Sequence, residues 1–147
     1  MINEIYNSKL LALAGNIPRN GRLQRPDATG TARSKLCGSE LTVDIKTEDT
    51  GQITDYAHEV KACALGQAAA SVVASQIIGA SRQEVERAYG QMAAMLKQGG
   101  KPPDGRFVDL KYLEPVKDYP ARQASTMLVL SALVDAFAQL DERAAAG

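Results

Sequence analysis

The chain has 147 residues, 45% of them hydrophobic and 23% charged, and its 17 basic and 17 acidic residues give a formal net charge of zero. This composition is ordinary for one globular domain, and without a basic excess it argues against a nucleic acid or a membrane surface as the partner. No basic segment followed by an apolar run opens the sequence, and the most apolar stretch, from Ala62 to Ile78, is shorter than the roughly 20 residues of a membrane span. We therefore expect one cytoplasmic domain over residues 1–147.

The first half of the sequence predicts a helix, a loop and a small sheet. Apolar residues at helical spacing indicate a helix from Asn3 to Ala14, and prolines and glycines indicate an extended loop over residues 16–30. Over residues 41–46 three apolar residues alternate with three polar ones, which is the pattern of a half-buried strand with its polar residues facing outward. A turn then leads to a second strand over residues 53–62, and residues 31–36 form the third predicted strand.

The second half predicts helices. Small residues are frequent from Cys63 to Ile78, which favours a helix that lets its neighbours pack closely. Ser81 and Glu84 have the spacing of a capping box, and the helix that they open ends at a pair of glycines. After a break rich in proline, Pro120 can occupy the first turn of the last helix, and the tail over residues 141–147 is expected to fray. A helix, a small three-stranded antiparallel sheet and then several helices predict the α+β class.

Cys37 and Cys63 are the only cysteines and the first candidates for chemistry. Cys37 is followed by Gly38, which permits an unusual backbone at a turn, and Cys63 opens the small-residue helix. A helix N-terminus favours the thiolate, which is the nucleophile and the metal ligand. Two such thiols predict a site that binds a metal or handles sulfur. The alternative for each cysteine is that it packs in the core as a small hydrophobic residue. Two cysteines in a chain without a secretory signal also indicate a reducing compartment.

The remaining candidates are one histidine and a group of arginines. His58 lies on the same side of its predicted strand as Tyr56 and Val60, so we favour a hydrogen-bonded core residue over a metal ligand. Four arginines in and around the extended loop predict a solvated face, with a docking surface as the alternative: Arg19, Arg22, Arg25 and Arg33. The sequence has no glycine-rich phosphate loop, and one histidine leaves little room for a hydrolase triad or a histidine-rich zinc site.

Four segments resemble, in order, the U-type iron–sulfur cluster scaffold family of IscU-like and NifU N-terminal-like proteins, and most closely its SufU-like branch. They are Tyr6-x-x-Lys9-Leu10 with the loop after it, Leu36-Cys37-Gly38 before the alternating strand, Cys63-Ala64 running into Gln67-Ala68-Ala69-Ala70-Ser71, and Val116-Lys117-Asp118-Tyr119-Pro120-Ala121-Arg122-Gln123-Ala124-Ser125. The last of these is similar to the branch's Tyr-Pro-Ala-Arg-x-x-Cys segment. The resemblance covers residues 3–140 and implies the SufE/NifU-like fold.

In that family three cysteines and an aspartate converge at one end of the molecule, where they hold a nascent 2Fe–2S cluster or, in the SufU-like branch, zinc. By resemblance, Cys37 and Cys63 are the metal ligands here. Ser39 stands at the position of the aspartate and Ser125 at that of the third cysteine, so these two would line the site with Arg122. Serine is a poor ligand for iron or zinc because its hydroxyl keeps its proton near neutral pH. Zinc is therefore disfavoured, and a cluster needs ligands from outside.

The resemblance implies three functions, in order of preference. The first is a non-enzymatic scaffold or carrier in iron–sulfur cluster assembly, in which Cys37 and Cys63 bind iron or a labile 2Fe–2S cluster shared with a second subunit or a partner. The second is sulfur transfer, in which one thiol accepts persulfide from a cysteine desulfurase. The third is an adaptor of the assembly machinery whose cysteines only pack. All three imply a cysteine desulfurase and other iron–sulfur assembly proteins as partners. For Arg122 the resemblance implies a charge that offsets thiolate or sulfide, and a surface salt bridge is the alternative.

Overall fold

The computed structural model describes residues 7–35 and 38–146. Its elements in chain order are α1 (Ser8–Gly15), β1 (Ala28–Arg33), β2 (Glu40–Thr47), β3 (Ile53–Lys61), α2 (Ala64–Gln76), α3 (Arg82–Gln98), a 3₁₀ segment (Gly105–Asp118), α4 (Pro120–Thr126) and α5 (Leu128–Ala146). The three strands form one antiparallel sheet in the order β1-β2-β3. The predicted α+β class and the three-stranded sheet are confirmed.

Several helix boundaries follow from local capping. Asn7 has an extended backbone, and its side chain accepts a hydrogen bond from the Leu10 N–H, so α1 begins at Ser8 and not at the predicted Asn3; residues 3–6 lie outside the described residues. The capping box of Ser81 and Glu84 is present at the start of α3. Gly99 ends α3 with a left-handed backbone at φ 67°, a conformation that glycine adopts without steric cost.

The sheet packs its inner face on α5, and Gly30 makes that contact close. A Cβ atom at Gly30 would lie 2.0 Å from the Ala132 carbonyl oxygen and 2.4 Å from the Ala136 backbone nitrogen. The neighbouring inner positions on β2, Leu41, Val43 and Ile45, are fully buried. A sheet residue without a side chain therefore lets the α5 backbone reach the surface of β1.

The small-residue helix α2 lies at the centre of the helical layer. It contacts α1, α4, α5, β3 and the 3₁₀ segment, and its residues from Leu65 to Ala74 are buried except for Gln67, which is partly buried. Alanine and glycine keep the helix narrow, so several elements approach it at once. The prediction that this helix allows close packing is confirmed.

Three predictions for the chain's outline need correction. Strand β1 begins at Ala28 and ends at Arg33, so it starts earlier than the predicted strand over residues 31–36 and the loop before it is shorter. The sequence predicts a break over residues 99–105 and no element for residues 106–118, yet residues 105–118 form 3₁₀ helix with a kink at Phe107, where φ is −102° and ψ is 30°. Pro120 does open a helix, but that helix bends by 44° and continues as α5.

The C-terminal helix α5 continues to Ala146 and so includes most of the tail that the sequence predicts to fray, residues 141–147. Fraying of that tail in solution stays a prediction. In the part of the chain that the structure describes, no single helix is long and apolar enough to cross a membrane. The bent pair of α4 and α5 passes that length and composition test together, but its apolar residues, Met127 to Leu130 among them, are buried in the core.

The outer face of β2 is less exposed than the alternating pattern predicts. Asp44, one of its polar residues, is fully buried beneath the loop that precedes β1. Its carboxylate accepts hydrogen bonds from the Arg22 guanidinium at 2.6 and 3.1 Å, from the Leu23 N–H at 3.1 Å and from the Thr29 hydroxyl at 2.6 Å. These donors hold the pKa of Asp44 below its usual range although burial alone would raise it. An isolated buried carboxylate would be costly, and this one is fully paired.

Candidate functional site at one end of the sheet

Strand pairing brings the predicted site segments to one end of the sheet. Arg33 pairs with Glu40 across β1 and β2, and Glu40 pairs with Lys61 across β2 and β3. The turn between β1 and β2 and the segment that leads from β3 into α2 therefore lie side by side. The first carries Cys37 and Ser39, and the second leads directly to Cys63.

The turn between β1 and β2 is closed by its own backbone. The Ser34 N–H donates to the Ser39 carbonyl at 2.8 Å, and the Gly38 N–H donates to the Ser34 carbonyl at 2.9 Å. Gly38 has φ 70°, as the sequence predicts for an unusual backbone after the cysteine. Ser39 is 5% exposed. Leu36 and Cys37 lie outside the described residues, so the role of Cys37 stays a prediction.

Cys63 is the N-cap of α2. Its backbone is extended, at φ −67° and ψ 172°, and its carbonyl accepts the first helical hydrogen bond from the Gln67 N–H at 2.9 Å. The Gln67 side chain donates to the Ala62 carbonyl at 2.8 Å, which fixes the chain just before the cysteine. Cys63 is in no disulfide; the residue as a whole is partly exposed and also packs against the hydrophobic core. The structure thus holds a free thiol at the head of the central helix.

Ser125 meets Cys63 directly. The Cys63 Sγ atom and the Ser125 Oγ atom are 3.1 Å apart, within hydrogen-bond distance, and Ser125 is only 1% exposed. The structure thus brings together two of the predicted site residues from elements 62 positions apart in the chain. The position that resemblance assigned to a third cysteine lies in contact with the second one.

Gly66 makes this contact geometrically possible. A Cβ atom on Gly66 would lie 2.9 Å from both the carbonyl oxygen and the Oγ atom of Ser125, and 2.8 Å from the Ala62 Cβ atom. Real Cβ atoms do not approach other heavy atoms that closely, so α4 would have to move. Sequence reasoning missed this residue, although a glycine three positions after a candidate cysteine, on the same helix face, is a signal that could have found it.

Arg122 begins the turn before Ser125 and is partly buried. Its N–H donates to the Tyr119 carbonyl at 2.9 Å, and its own carbonyl accepts from the Thr126 hydroxyl at 2.8 Å. With the residues that the structure describes, its guanidinium forms no ion pair. The surface salt bridge that was the alternative for Arg122 is therefore absent among the described residues.

His58 does not belong to this site. It is fully buried; its Nδ1 atom lies 2.9 Å from the Tyr56 hydroxyl and its Nε2 atom 2.9 Å from the Pro18 carbonyl oxygen. Because a carbonyl oxygen only accepts, Nε2 carries the hydrogen and Nδ1 accepts from the Tyr56 hydroxyl. Burial lowers the pKa of His58 to about 4, against a smaller opposite effect of the Pro18 carbonyl. The prediction of a hydrogen-bonded core histidine is confirmed.

Among the described residues, the groups at this site that could bind a metal are one thiol and hydroxyls. Among residues 7–35 and 38–146, no group of three or more histidine, cysteine, aspartate or glutamate side chains is arranged to hold a metal ion. Iron–sulfur clusters are held by thiolates, with histidine in some sites. These residues alone do not fit a resident metal centre.

The fold and the site together define a class of protein. It is a small α+β domain with a free thiol at the head of its central helix, beside a glycine-containing turn at one end of a three-stranded sheet. The NifU-like N-terminal domain family matches residues 5–126, and the chain belongs to this family.

Named relatives extend over nearly the whole chain. It is 26% identical, over 136 residues, to a protein of Thermotoga maritima described as the iron–sulfur cluster assembly scaffold protein IscU, with 92% of this chain and 94% of that protein covered. A crystal structure of a nitrogen-fixing NifU-like protein (N-terminal) from Brucella abortus is 53% identical, with a TM-score of 0.93 over 97% of this chain and 98% of that one. The fold is also similar, at 23% identity and a TM-score of 0.81, to that of a SufU protein from Fervidobacterium islandicum over 94% and 98% of the two chains.

Proposed function

We propose that this protein is a scaffold or carrier in iron–sulfur cluster assembly, with iron or a labile 2Fe–2S cluster as its cargo. The observation that carries the proposal is the free thiol of Cys63, a partly exposed residue at the head of the central helix, in a chain of the NifU-like N-terminal domain family. The similarity to a protein described as an IscU scaffold, along 92% of this chain, supports the same process. Cys37, on the adjoining turn, is the second proposed ligand.

The number of ligands determines the form of the proposed complex. A 2Fe–2S cluster takes four protein ligands, mostly thiolates. One copy of this chain has two cysteines, and Ser125 offers a hydroxyl in contact with Cys63. Two copies supply four thiolates, so we propose a cluster shared in a homodimer or completed by an assembly partner.

Anaerobic reconstitution with ferrous iron, sulfide and a thiol reductant tests the proposal. We expect visible absorbance of a 2Fe–2S cluster, about one cluster for each pair of chains, and co-elution of iron with a dimer in size-exclusion chromatography. Cys63→Ala and Cys37→Ala should each abolish the cluster. Ser125→Ala, which removes a hydroxyl but neither thiol, is the matched control and should retain it. Iron that stays bound in both cysteine variants would contradict the proposal.

Sulfur transfer is the second candidate, and the free Cys63 thiol favours it because this chemistry needs no further ligand. The Cys63 thiolate would attack the outer sulfur of a persulfide on a cysteine desulfurase. The sulfur–sulfur bond of the desulfurase breaks, its thiolate leaves, and the outer sulfur stays on Cys63, so no external oxidant is consumed. Mass spectrometry would show one added sulfur atom on the parent and none on Cys63→Ala. Sulfur addition without cluster formation would favour this function over the first.

The setting of the protein follows from the same chemistry. Both functions need reduced thiols, so we place the protein in the cytoplasm, among a cysteine desulfurase and other iron–sulfur assembly proteins. As a carrier it would not be an enzyme. The adaptor function, in which Cys63 only packs against the hydrophobic core, ranks third because it gives the free thiol no part.

A further inference from the structure

A groove lies next to the proposed site, between β1, α3, α4 and the start of α5. It encloses about 330 Å³ and is open on one side. Its main lining residues are Arg33, Tyr89, Lys97, Ala124, Met127 and Leu128. The volume is at the lower end for a small-molecule pocket, and the open side suits a chain segment that lays one or two side chains into it.

Two basic residues line the groove. They are Arg33 and Lys97, and no acidic residue of the described part of the chain lines it. Lys97 is exposed in the last turn of α3 and forms no ion pair with the described residues, so its charge is available to a negative partner. The Arg33 side chain is 73% exposed and pairs with Glu40, with its Nε atom 3.2 Å from a carboxylate oxygen. Because an exposed ion pair of this kind is weak, Arg33 can also meet a carboxylate of a partner.

Part of the groove lining is apolar. Met127 and Leu128 line it as buried residues, and Tyr89 leaves 38% of its surface exposed, which makes it one of the few large exposed hydrophobic residues that the structure describes. Tyrosine, methionine and arginine are enriched at protein interfaces, and tyrosine and arginine often dominate the binding energy. An occupant with both an apolar side chain and carboxylates would satisfy both parts of the groove.

The groove adjoins the candidate site. Arg33 lines both the groove and a cleft over the turn that carries Gly38 and Ser39, which Glu40 also lines. Ala124 directly precedes Ser125, the residue in contact with Cys63. An occupant of the groove would therefore bring its protein close to Cys63.

We propose that this groove binds an acidic peptide segment with one apolar anchor side chain, supplied by a partner protein. The carboxylates pair with Lys97 and Arg33, and the anchor packs on Tyr89 and Met127. The inference goes beyond the proposed function, because it requires no chemistry at Cys37 or Cys63. It identifies a docking surface that would hold a partner beside the thiols.

Fluorescence anisotropy with a labelled synthetic peptide tests the inference. The probe has a central leucine with two acidic residues on each side, and a second peptide carries serine in place of leucine. We expect the first peptide to bind and the second to bind at least about tenfold more weakly, because burying the leucine side chain is worth roughly 1.5–3 kcal/mol. Binding should weaken as salt is added, since the ion pairs are exposed.

Variants locate the binding. Lys97→Glu should weaken binding at least about tenfold through charge reversal, and Tyr89→Ser several-fold. Lys101→Glu is the matched control: it makes the same charge change at an exposed lysine outside the groove lining and should change affinity less than about twofold. Thermal unfolding would verify that each variant is folded.

Three outcomes would overturn the inference: no binding by the parent, equal binding of the two peptides, or equal loss in the two lysine variants. The double variant Cys37→Ser with Cys63→Ser separates this test from that of the proposed function, because it should bind the peptide as the parent does while forming no cluster.

Discussion

At the scale of single residues, the main contact within the candidate site is that of Cys63 with Ser125, whose Sγ and Oγ atoms are 3.1 Å apart. The sequence supplies both residues as candidates, since the first opens a small-residue helix and the second occupies the place of a family cysteine. It does not show that they touch, because 62 residues separate them and the contact depends on how α4 packs against α2. Gly66, which has no side chain, is the structural reason that the two can meet.

Asp44 and His58 show a different limit of sequence reasoning. Both lie on strands where alternation predicts which side each residue faces, and for His58 that prediction is correct. Asp44 does lie on the predicted outer face, but it is not exposed, because the loop with Arg22 and Leu23 folds over that face and supplies three N–H donors. Alternation predicts the face of the sheet on which a residue lies, but it cannot show what covers that face.

The buried histidine predicts how stability depends on pH. The pKa of His58 is about 4 in the folded protein against an ordinary value of 6.5, so between these two values the unfolded chain binds a proton that the folded chain does not. Stability must then fall as the pH falls through this window. From pH 7.5 to pH 5.5 we expect a loss on the order of 1 kcal/mol in the free energy of unfolding, measured by urea titration.

The control for this effect is His58→Gln, which keeps a hydrogen-bonding side chain without a titration near neutral pH. His58 is the only histidine, so this variant should show a nearly flat profile over the same range. Asp44 and Glu84, whose pKa values are lowered, lose their contributions only below their ordinary values of 3.8 and 4.5, outside the window. A slope that persists in His58→Gln would contradict the assignment.

At the scale of elements, Arg106 connects three helical segments. From the 3₁₀ segment its guanidinium donates to the carbonyls of Gln76, Ile78 and Gly79 at 3.0, 3.1 and 3.4 Å, at the end of α2. Its Nε atom also pairs with Glu84, the capping-box residue of α3, at 2.9 Å. One side chain thus satisfies the free carbonyls at one helix end and holds the start of the next helix.

Arg106→Lys should therefore destabilise the fold although it keeps the charge. A lysine ammonium lacks the planar set of donors that reaches four acceptors, so we expect a loss of about 1–2 kcal/mol in the free energy of unfolding. Arg87→Lys is the matched control, because Arg87 pairs only with the exposed Asp104, and it should cost less than about 0.5 kcal/mol. Chemical denaturation of both variants would measure the difference. Equal losses of unfolding free energy would show that the contacts of Arg106 contribute no more than one exposed ion pair.

The elements also differ in how well the sequence predicts them. The capping box of Ser81 and the alternation in β2 are local signals, and both identify their elements correctly. The 3₁₀ segment has no such signal, since its helix contains Pro115 and its apolar residues, among them Phe107 and Leu110, are ordered by packing on α2 and α3. Local propensity could not have predicted it, because tertiary contacts determine its conformation.

At the scale of the whole molecule, both edges of the sheet are partly occupied in the described structure. Residues 19–21 run beside β3, with the Gly21 N–H bonded to the His58 carbonyl at 2.8 Å and the His58 N–H to the Arg19 carbonyl at 3.1 Å. On β1, the Asp135 carboxylate accepts from the Thr31 N–H at 2.9 Å. Because these contacts occupy edge groups that an added strand would need, partners are expected to meet the protein through side chains.

The two layers of the molecule meet where Gly30 lies under α5, and this contact gives the last prediction. In Gly30→Ala the new methyl group would fall 2.0 Å from the Ala132 carbonyl oxygen, a clash with backbone that no rotamer change can relieve. Since α5 must move away from the sheet, we expect a loss of at least about 3 kcal/mol in the free energy of unfolding. Gly90→Ala is the control: Gly90 lies inside α3, and a Cβ atom there would have no neighbour within 4 Å outside its own helix turn, so alanine should stabilise by about 0.5–1 kcal/mol. Thermal and urea unfolding of both variants would measure the contrast, and a neutral Gly30→Ala would mean that α5 does not hold the sheet by this close approach.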